Sequence, residues 1–482
     1  MNSYITRILS LLSILVFSLL MAFSSTATMS VEKHGSALFG GFRHLIFISV
    51  GLLFFVAINR FFTWNSLVAL SPYVYIISLA LLAAVLIPGI GAEINGARSW
   101  ILLGGVAIQP AEVAKVGAAL STVGFIKKWG EKKSPYLIIV ATWTPIIVLT
   151  MLEKDLGMSM MLAAVMVLFL IFEGISPLLV AASVGVVGVA SALIIAFANF
   201  RSQRLIVFLQ QFMGHDYDQT GAGYQYHQGL LALVRGGFFG VGIGHGEAST
   251  LYLPEGSNDF ILAIIGEETG FIGISTLLIL YFLLLRSFWV RARDVPSEQA
   301  SFVKVGTTAI GIQAVVNIAY VAGLLPVTGL QLPLMSAGGT SMITTLILLG
   351  MMSVACGDCD KISLWKLLTQ HSPRTTRLRR VPVAGNTGRR SSSPGSLASS
   401  SPLLSSAQGL SRSSTLTPSP RGRKSTSSQR LLPPLTAVKG GLGSTATRHV
   451  IAARGKRVPM RQSHRETCLL YTSDAADDSL RV

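Results

Sequence analysis

Ten apolar runs divide the first 360 residues, at positions 8–29, 43–59, 69–88, 108–126, 136–152, 156–172, 178–198, 260–285, 302–325 and 340–357. Each approaches the roughly 20 residues that carry an α-helix across a hydrocarbon layer. The pattern predicts an all-α polytopic membrane protein with ten transmembrane helices. Only Arg7 precedes the first run, and no small-residue cleavage site follows it, so an uncleaved helix is expected there. The Lys/Arg bias of short loops sets the orientation. With the N-terminus cytoplasmic, Arg60, Lys127, Lys128, Lys132, Lys133, Arg286, Arg291 and Arg293 fall inside. The short outer loops then carry only Lys33, Arg43, Arg98 and Lys154. Both termini are therefore expected in the cytoplasm, with one long outer loop over about 199–258.

Composition agrees with this class. The 482 residues are 51% hydrophobic and only 13% charged, too apolar for a soluble chain of this size. The net charge of +17 invites a nucleic-acid reading, but its distribution removes that support. Residues 1–360 hold 18 basic and 18 acidic side chains, whereas 361–482 hold 21 and 4. The excess lies in a Ser/Pro/Gly/Arg-rich segment that cannot bury enough apolar surface to fold. A disordered basic cytoplasmic tail over 361–482 is expected, either drawn to the anionic inner leaflet or simply solvated. Its last ~15 residues, from Glu466, resemble translated sequencing-adapter read-through. Cys356, Cys359 and Cys468 form no disulfide framework. Cys356-Gly357-Asp358-Cys359 has metal-ligand spacing without a second pair, and reads as a helix end.

Polar groups inside the apolar frame carry the functional signal, because ionisable side chains at membrane depth are costly. Asp259 sits where the long outer loop, through Leu253-Pro254-Glu255-Gly256-Ser257-Asn258, becomes a span. Glu112 and Lys115 lie three apart on one helix face, as a cavity lining or as an ion pair that fixes packing. Asp155 opens the sixth span as a helix cap or a site residue. Glu267 and Glu268 fall roughly 12–14 Å beyond Asp259 along a continuous helix, and at least one calls for a cationic partner. Gly266, Gly270 and Gly273 on that span suit close helix approach. Arg98, Arg201 and Arg204 suit phosphate binding or headgroup snorkelling. The segment 236–244 has G-x-G spacing but no βαβ context, so a dinucleotide loop is rejected and a short amphipathic or re-entrant segment is expected. The Pro/Gly-built turn 325–341 leads into the last span, whose N-terminus either binds an anion or is a plain turn.

These residues fall in blocks that resemble a known family. The blocks are Asn95-Gly96-Ala97-Arg98-Ser99-Trp100-Ile101, Gln109-Pro110-Ala111-Glu112-Val113-Ala114-Lys115, Asp155-Leu156-Gly157, Gly223-Tyr224-Gln225, Leu253-Pro254-Glu255 with Asp259-Phe260-Ile261, and 324–341 ending Ser336-Ala337-Gly338-Gly339-Thr340-Ser341. Over nearly all of residues 1–357 the chain resembles the SEDS family (shape, elongation, division and sporulation), the FtsW/RodA group of cell-wall polymerases. Ile264-Ile265-Gly266-Glu267-Glu268 looks more like the division branch than the elongation branch.

The resemblance implies an inverting peptidoglycan glycosyltransferase that polymerises lipid II at the outer face of the bacterial cytoplasmic membrane, at the division septum. It maps the family's essential aspartate onto Asp259. It makes Glu255, Arg98, Lys154, Arg201, Arg204, Gln109, Glu112, Lys115, Gln225, Ser336, Thr340 and Ser341 candidates for substrate binding. It implies a class B penicillin-binding protein and other divisome proteins as partners. It assigns no particular cofactor, and a divalent cation is an option. A lipid II flippase, an elongation-type polymerase and a divisome scaffold are the competing readings. The chain departs from the family pattern at Ser257-Asn258, where His-Thr is usual, and at Glu153-Lys154, where Gln-Pro is usual. The basic residue often found just before Leu-Pro-Glu is also missing between Gly246 and Leu253.

Overall fold

The computed structural model describes residues 3–94, 96–104, 106–197, 206–211, 213 and 223–357. The expected tail, Cys359 and Cys468, and both Arg201 and Arg204 lie outside them. Eleven named helices follow the apolar pattern closely. They are α1 (Ser3–His34), α2 (Phe39–Phe61), α3 (Trp64–Val85), α4 (Pro110–Trp129), α5 (Pro135–Leu152), α6 (Leu156–Phe172), α7 (Pro177–Phe197), α8 (Tyr224–Gly236), α9 (Ile261–Arg291), α10 (Ser297–Val321) and α11 (Gly339–Ala355). By length and composition, α1, α2, α3, α5, α9 and α10 can cross a membrane, while α6, the start of α7 and α11 are shorter apolar helices. Helix α4 carries Glu112, Lys115, Lys127 and Lys128, which dilutes its apolar character.

The local signals for these boundaries are legible. Pro110 and Pro135 begin α4 and α5, where a missing N–H costs nothing. Thr63 and Ser66 close a capping box on α3. Asp155 caps α6 by accepting from the Met158 N–H at 3.0 Å. At the start of α10, Glu298 takes the Trp64 indole N–H at 2.7 Å and pairs with Lys127 at 3.1 Å, which ties α3, α4 and α10 together at one end.

Two expectations are corrected. The chain is not all-α. Between α3 and α4 it forms an antiparallel sheet of β1 (Gly91–Ile94), β2 (Ala97–Leu103) and β3 (Val106–Ile108), in that order. Register runs Ala92 to Trp100 and Ile101 to Ile108, with an irregularity between Ala92 and Glu93. The cause is a short alternation that buries Ser99 and Ile101 while Arg98 and Trp100 stay partly exposed.

The eighth span is also not continuous. At Gly270 the backbone turns to φ 65°, ψ −165°, a region open essentially to glycine alone. The segment after α8 makes that break tolerable. Val241 and Gly242 donate N–H to the freed carbonyls of Glu267 and Glu268 at 2.9 and 3.0 Å. Phe271 and Ile272 donate to the carbonyls of Gly237 and Phe238 at 3.0 and 3.3 Å. The glycine-rich run therefore clasps both ends of the broken helix, satisfying groups that hydrocarbon could not.

Candidate active site

Asp259 stands one residue before Phe260, the N-cap of α9, on the wall of a cavity of about 1440 Å³. Its place is set through its backbone. The Asp259 carbonyl accepts from Asn317 Nδ2 at 2.8 Å and lies 2.8 Å from the Tyr320 hydroxyl, both on α10. The same two side chains reach the Leu330 carbonyl at 2.7 Å, so the 253–259 turn and the 325–337 turn are held by one pair of residues. Ser336 adds a second tie, donating to the Asn258 carbonyl at 2.6 Å and accepting from the Leu332 N–H at 2.8 Å. Ala337 N–H donates to the Ser257 carbonyl at 3.0 Å. Gly329 packs against the carboxylate, since a Cβ there would lie 3.4 Å from Asp259 Oδ2.

The opposite wall comes from the α5–α6 turn and β3. Lys154 lines the cavity with φ 61°, an uncommon conformation for a side chain of its size. Asp155 lines it too, and besides its capping bond accepts from Gln109 Nε2 at 3.1 Å. Thr340 pins this wall to α11. Its hydroxyl accepts from the Gln109 N–H at 3.3 Å and donates to the Ala107 carbonyl at 2.8 Å. Glu255 also lines the cavity, at φ 53°, and accepts from Asn258 Nδ2 at 2.7 Å. Asn258, the departure from the family's usual threonine, thus stiffens the Pro-Glu turn beside Asp259.

Several candidates lie elsewhere. Arg98 does not line the cavity. It pairs with Glu93 at 3.6 Å, and its N–H donates to the Glu153 carbonyl at 2.9 Å. Gln225 supports the 253–259 turn from outside, donating to the Pro254 carbonyl at 3.0 Å. Glu112 and Lys115 are fully buried behind the wall and 2.6 Å apart. Gln313 bridges them, donating to Glu112 at 3.1 Å and accepting from Lys115 at 2.7 Å. Ser341 and Thr344 complete the shell, each at 3.3 Å from a Glu112 oxygen. This is the packing ion pair, not a lining. It still reaches the site, because Gln313 also donates to the Gln331 carbonyl at 3.1 Å.

Glu267 finds a cation, 3.8 Å from Arg235, and also accepts the Ala248 N–H at 2.8 Å. Glu268 accepts from Ser24 at 2.6 Å, which joins α1 to the clasped break. Among the described residues, no group of three His, Cys, Asp or Glu side chains is arranged to hold a metal ion.

Three features had not been singled out. Gln313, Asn317 and Tyr320 form a polar stripe at i, i+4 and i+7 on α10, a helical pattern that was readable. Arg43, His44 and Lys33 line the cavity, brought there only by the packing of α1 and α2. Glu153 is completely buried beside Lys154, and neither carboxylate oxygen has a hydrogen-bond partner among the described residues. Burial, then the neighbouring Asp155 charge, pushes its pKa from 4.5 up to about 8.

Known proteins align with this architecture. The model of the cell cycle protein family FtsW/RodA/SpoVE matches residues 5–356. The probable peptidoglycan glycosyltransferase FtsW of Mycobacterium tuberculosis is 33% identical over 376 residues, covering 76% of this chain and 70% of that protein. Stage V sporulation protein E of Bacillus subtilis is 33% identical over 357 residues, covering 71% and 93%. Among solved structures, a chain of a peptidoglycan synthase complex that coordinates polymerization and crosslinking aligns with a TM-score of 0.57 at 27% identity, over 72% of this chain and 97% of that one. The rod shape determining protein RodA of Thermus thermophilus aligns with a TM-score of 0.51 at 25% identity, over 72% and 96%. With the family model spanning nearly every described helix and relatives one-third identical over most of their length, this chain belongs to the FtsW/RodA/SpoVE family.

Proposed function

We propose that this protein is a peptidoglycan glycosyltransferase of the division branch, polymerising lipid II at the outer face of the cytoplasmic membrane. The observation that carries the reading is Asp259, a carboxylate positioned from behind by α10 on the wall of a cavity large enough for a sugar substrate. In this reading α1–α7 and α9–α11 are ten spans with both termini inside. The cavity opens outward, and the Lys127–Glu298 end faces the cytoplasm. A class B penicillin-binding protein and other divisome proteins are the expected partners, a reading supported by the likeness to a chain of a synthase complex that coordinates polymerization and crosslinking.

The chemistry is one inverting displacement. The acceptor sugar's hydroxyl oxygen forms the new bond to the donor's anomeric carbon. The bond from that carbon to the diphosphate oxygen breaks, and the electron pair leaves with the lipid diphosphate. The hydroxyl proton passes to Asp259, the general base. Lys154 on the facing wall offsets negative charge on the leaving group. Neither Asn317 nor Tyr320 lines the cavity. They position Asp259 by fixing its backbone.

The test is lipid II polymerisation by purified protein in detergent, where translocation has no meaning. Asp259→Asn should abolish glycan synthesis while leaving the melting midpoint unchanged. Normal polymer from the folded variant would rule out the base assignment, and no polymer from wild type would favour the flippase.

A further inference from the structure

Helix α4 starts beside Gln109 on the cavity wall and ends, 20 residues on, at Trp129. At that far end three aromatic rings form a column. Tyr75 of α3 meets Phe125 edge to face at 5.7 Å, and Phe125 stacks on Trp129 at 5.1 Å. The Tyr75 hydroxyl donates to the Thr142 carbonyl of α5 at 3.0 Å, so the column is fixed where α3, α4 and α5 meet. Tyr75 and Phe125 are partly exposed, and Trp129 is exposed. Trp64 and Trp143 spend their indole N–H groups on Glu298 and Thr122. The Trp129 N–H has no acceptor among the described residues.

Lysines gather on that ring. After Trp129 the chain folds back sharply, and the N–H groups of Lys132 and Lys133 both donate to the Trp129 carbonyl at 2.9 Å. Lys128 Nζ lies 5.2 Å and Lys133 Nζ 5.7 Å from the centre of the indole, within reach of cation–π attraction. A lysine that merely snorkels extends away from the apolar surface, whereas these two lie back over the ring. Lys127 is committed to Glu298 and Asn65. Lys128, Lys132 and Lys133 are exposed and pair with no carboxylate among the described residues, not even neighbouring Glu131. Three like charges around one ring repel one another, and no acidic side chain offsets them. The chemistry that fits is an anion with an apolar body. Its phosphate would sit among the ammonium groups and its hydrocarbon against the aromatic column, with the indole N–H free for a phosphate or ester oxygen.

We infer that Trp129 with Lys128, Lys132 and Lys133 forms a binding site for an anionic phospholipid of the cytoplasmic leaflet, with the headgroup among the lysines and an acyl chain along Phe125 and Tyr75. The inference takes only the leaflet from the topology proposed above. The site is separate from the cavity, which none of these residues lines. A lipid held there braces α3, α4 and α5 at their junction and leaves the chemistry at Asp259 unchanged.

The test uses bromine on an acyl chain, which quenches tryptophan on contact. Full-length protein in a zwitterionic detergent is titrated with brominated phosphatidylglycerol and, separately, with brominated phosphatidylcholine. Each protein is compared with its Trp129→Phe counterpart, which isolates Trp129 among the six tryptophans. In wild type, half-quenching of Trp129 should need at least about tenfold less phosphatidylglycerol than phosphatidylcholine. The double replacement Lys132→Gln with Lys133→Gln should bring the two lipids within about threefold. Arginine at both positions should keep the preference, and about 0.5 M sodium chloride should shrink it. Equal quenching by the two lipids in wild type would overturn the inference and leave the lysines to an acidic protein partner. A preference that survives the glutamine pair, at an unchanged melting midpoint, would overturn it as well. Lipid II polymerisation measured alongside keeps the two claims apart. The glutamine pair should make polymer like wild type, and Asp259→Asn should keep the lipid preference while making none.

Discussion

Replacing Glu153 by glutamine isolates the energetics of one carboxyl group at the cavity wall. The side chain has no solvent exposure and no hydrogen-bond partner for either oxygen among the described residues, so its charged form is strongly disfavoured. Its pKa is about 8 in the folded protein against an ordinary 4.5. Between those values the folded chain holds a proton that the unfolded chain has lost, so stability falls as pH rises. Below about pH 4.5 the penalty is absent. Above about pH 8 it is fully present and constant. Each pH unit of separation corresponds to about 1.4 kcal/mol, which sets an upper figure of roughly 5 kcal/mol for the whole window. Glutamine has the same shape and cannot ionise. At pH 5 the two proteins should melt alike, since a protonated carboxyl and an amide leave comparable groups unsatisfied. Toward pH 8.5 wild type should melt progressively lower while Glu153→Gln stays flat. Tryptophan fluorescence of the detergent-solubilised proteins across pH 5–9 provides the measurement. Parallel curves, or a wild-type midpoint that rises with pH, would refute the reasoning.

Three further outcomes follow from the same geometry. Asn317→Ala removes donors to the Asp259 and Leu330 carbonyls; it should lower kcat by about tenfold to a hundredfold through misplacement of the base, with KM nearly unchanged. Lys115→Met strands the buried Glu112 charge and should cost about 3–5 kcal/mol in stability, much of which a double replacement with Glu112→Leu restores; chemical unfolding of both variants checks this. Gly270→Ala forces a side chain into a backbone conformation it cannot adopt and places Cβ 2.4 Å from the Gly240 N atom; the loss should be at least about 1–3 kcal/mol, read as a collapse in the yield of monodisperse protein.

The parts legible in the sequence are those that one stretch of chain decides alone. A helix in hydrocarbon needs a continuous apolar run, and the starts of α5, α6, α7, α9 and α11 fall within one residue of where the runs begin. Asp259, Glu255 and Gln109 are likewise carried by short local blocks, and all three line the cavity. What escaped depends on two stretches meeting. Gly270 on its own reads as a small residue for close helix packing. Its break becomes tolerable only because residues 237–242 supply four backbone hydrogen bonds from another segment, and no window around Gly270 contains that information. The β1–β3 sheet was hidden for a related reason: its strands are too short for their alternation to compete with the strong apolar runs on either side.

The same distinction explains the electrostatics of the cavity. Charge counting along the chain found Lys33 and Arg43 as isolated outer-loop residues and used them only for orientation. Packing of α2 against α11, and of α1 against α2, turns them into lining residues. Arg98 moved the other way: its block is the sequence feature that suggested phosphate binding, yet β2 pairs it with Glu93, and its backbone serves Glu153. Its natural role is therefore to hold the turn that presents Lys154. Arg98→Ala removes only the exposed Glu93 ion pair and keeps the backbone N–H bond to the Glu153 carbonyl. It should therefore leave stability within about 1 kcal/mol of wild type and substrate binding intact, whereas Lys154→Ala should weaken substrate binding at constant stability. Measuring both variants by melting and by titration with a fluorescent polyprenyl diphosphate separates an arginine that touches the lipid diphosphate from one that only positions its neighbour. An Arg98→Ala protein with unchanged stability and lost affinity would return Arg98 to the binding site.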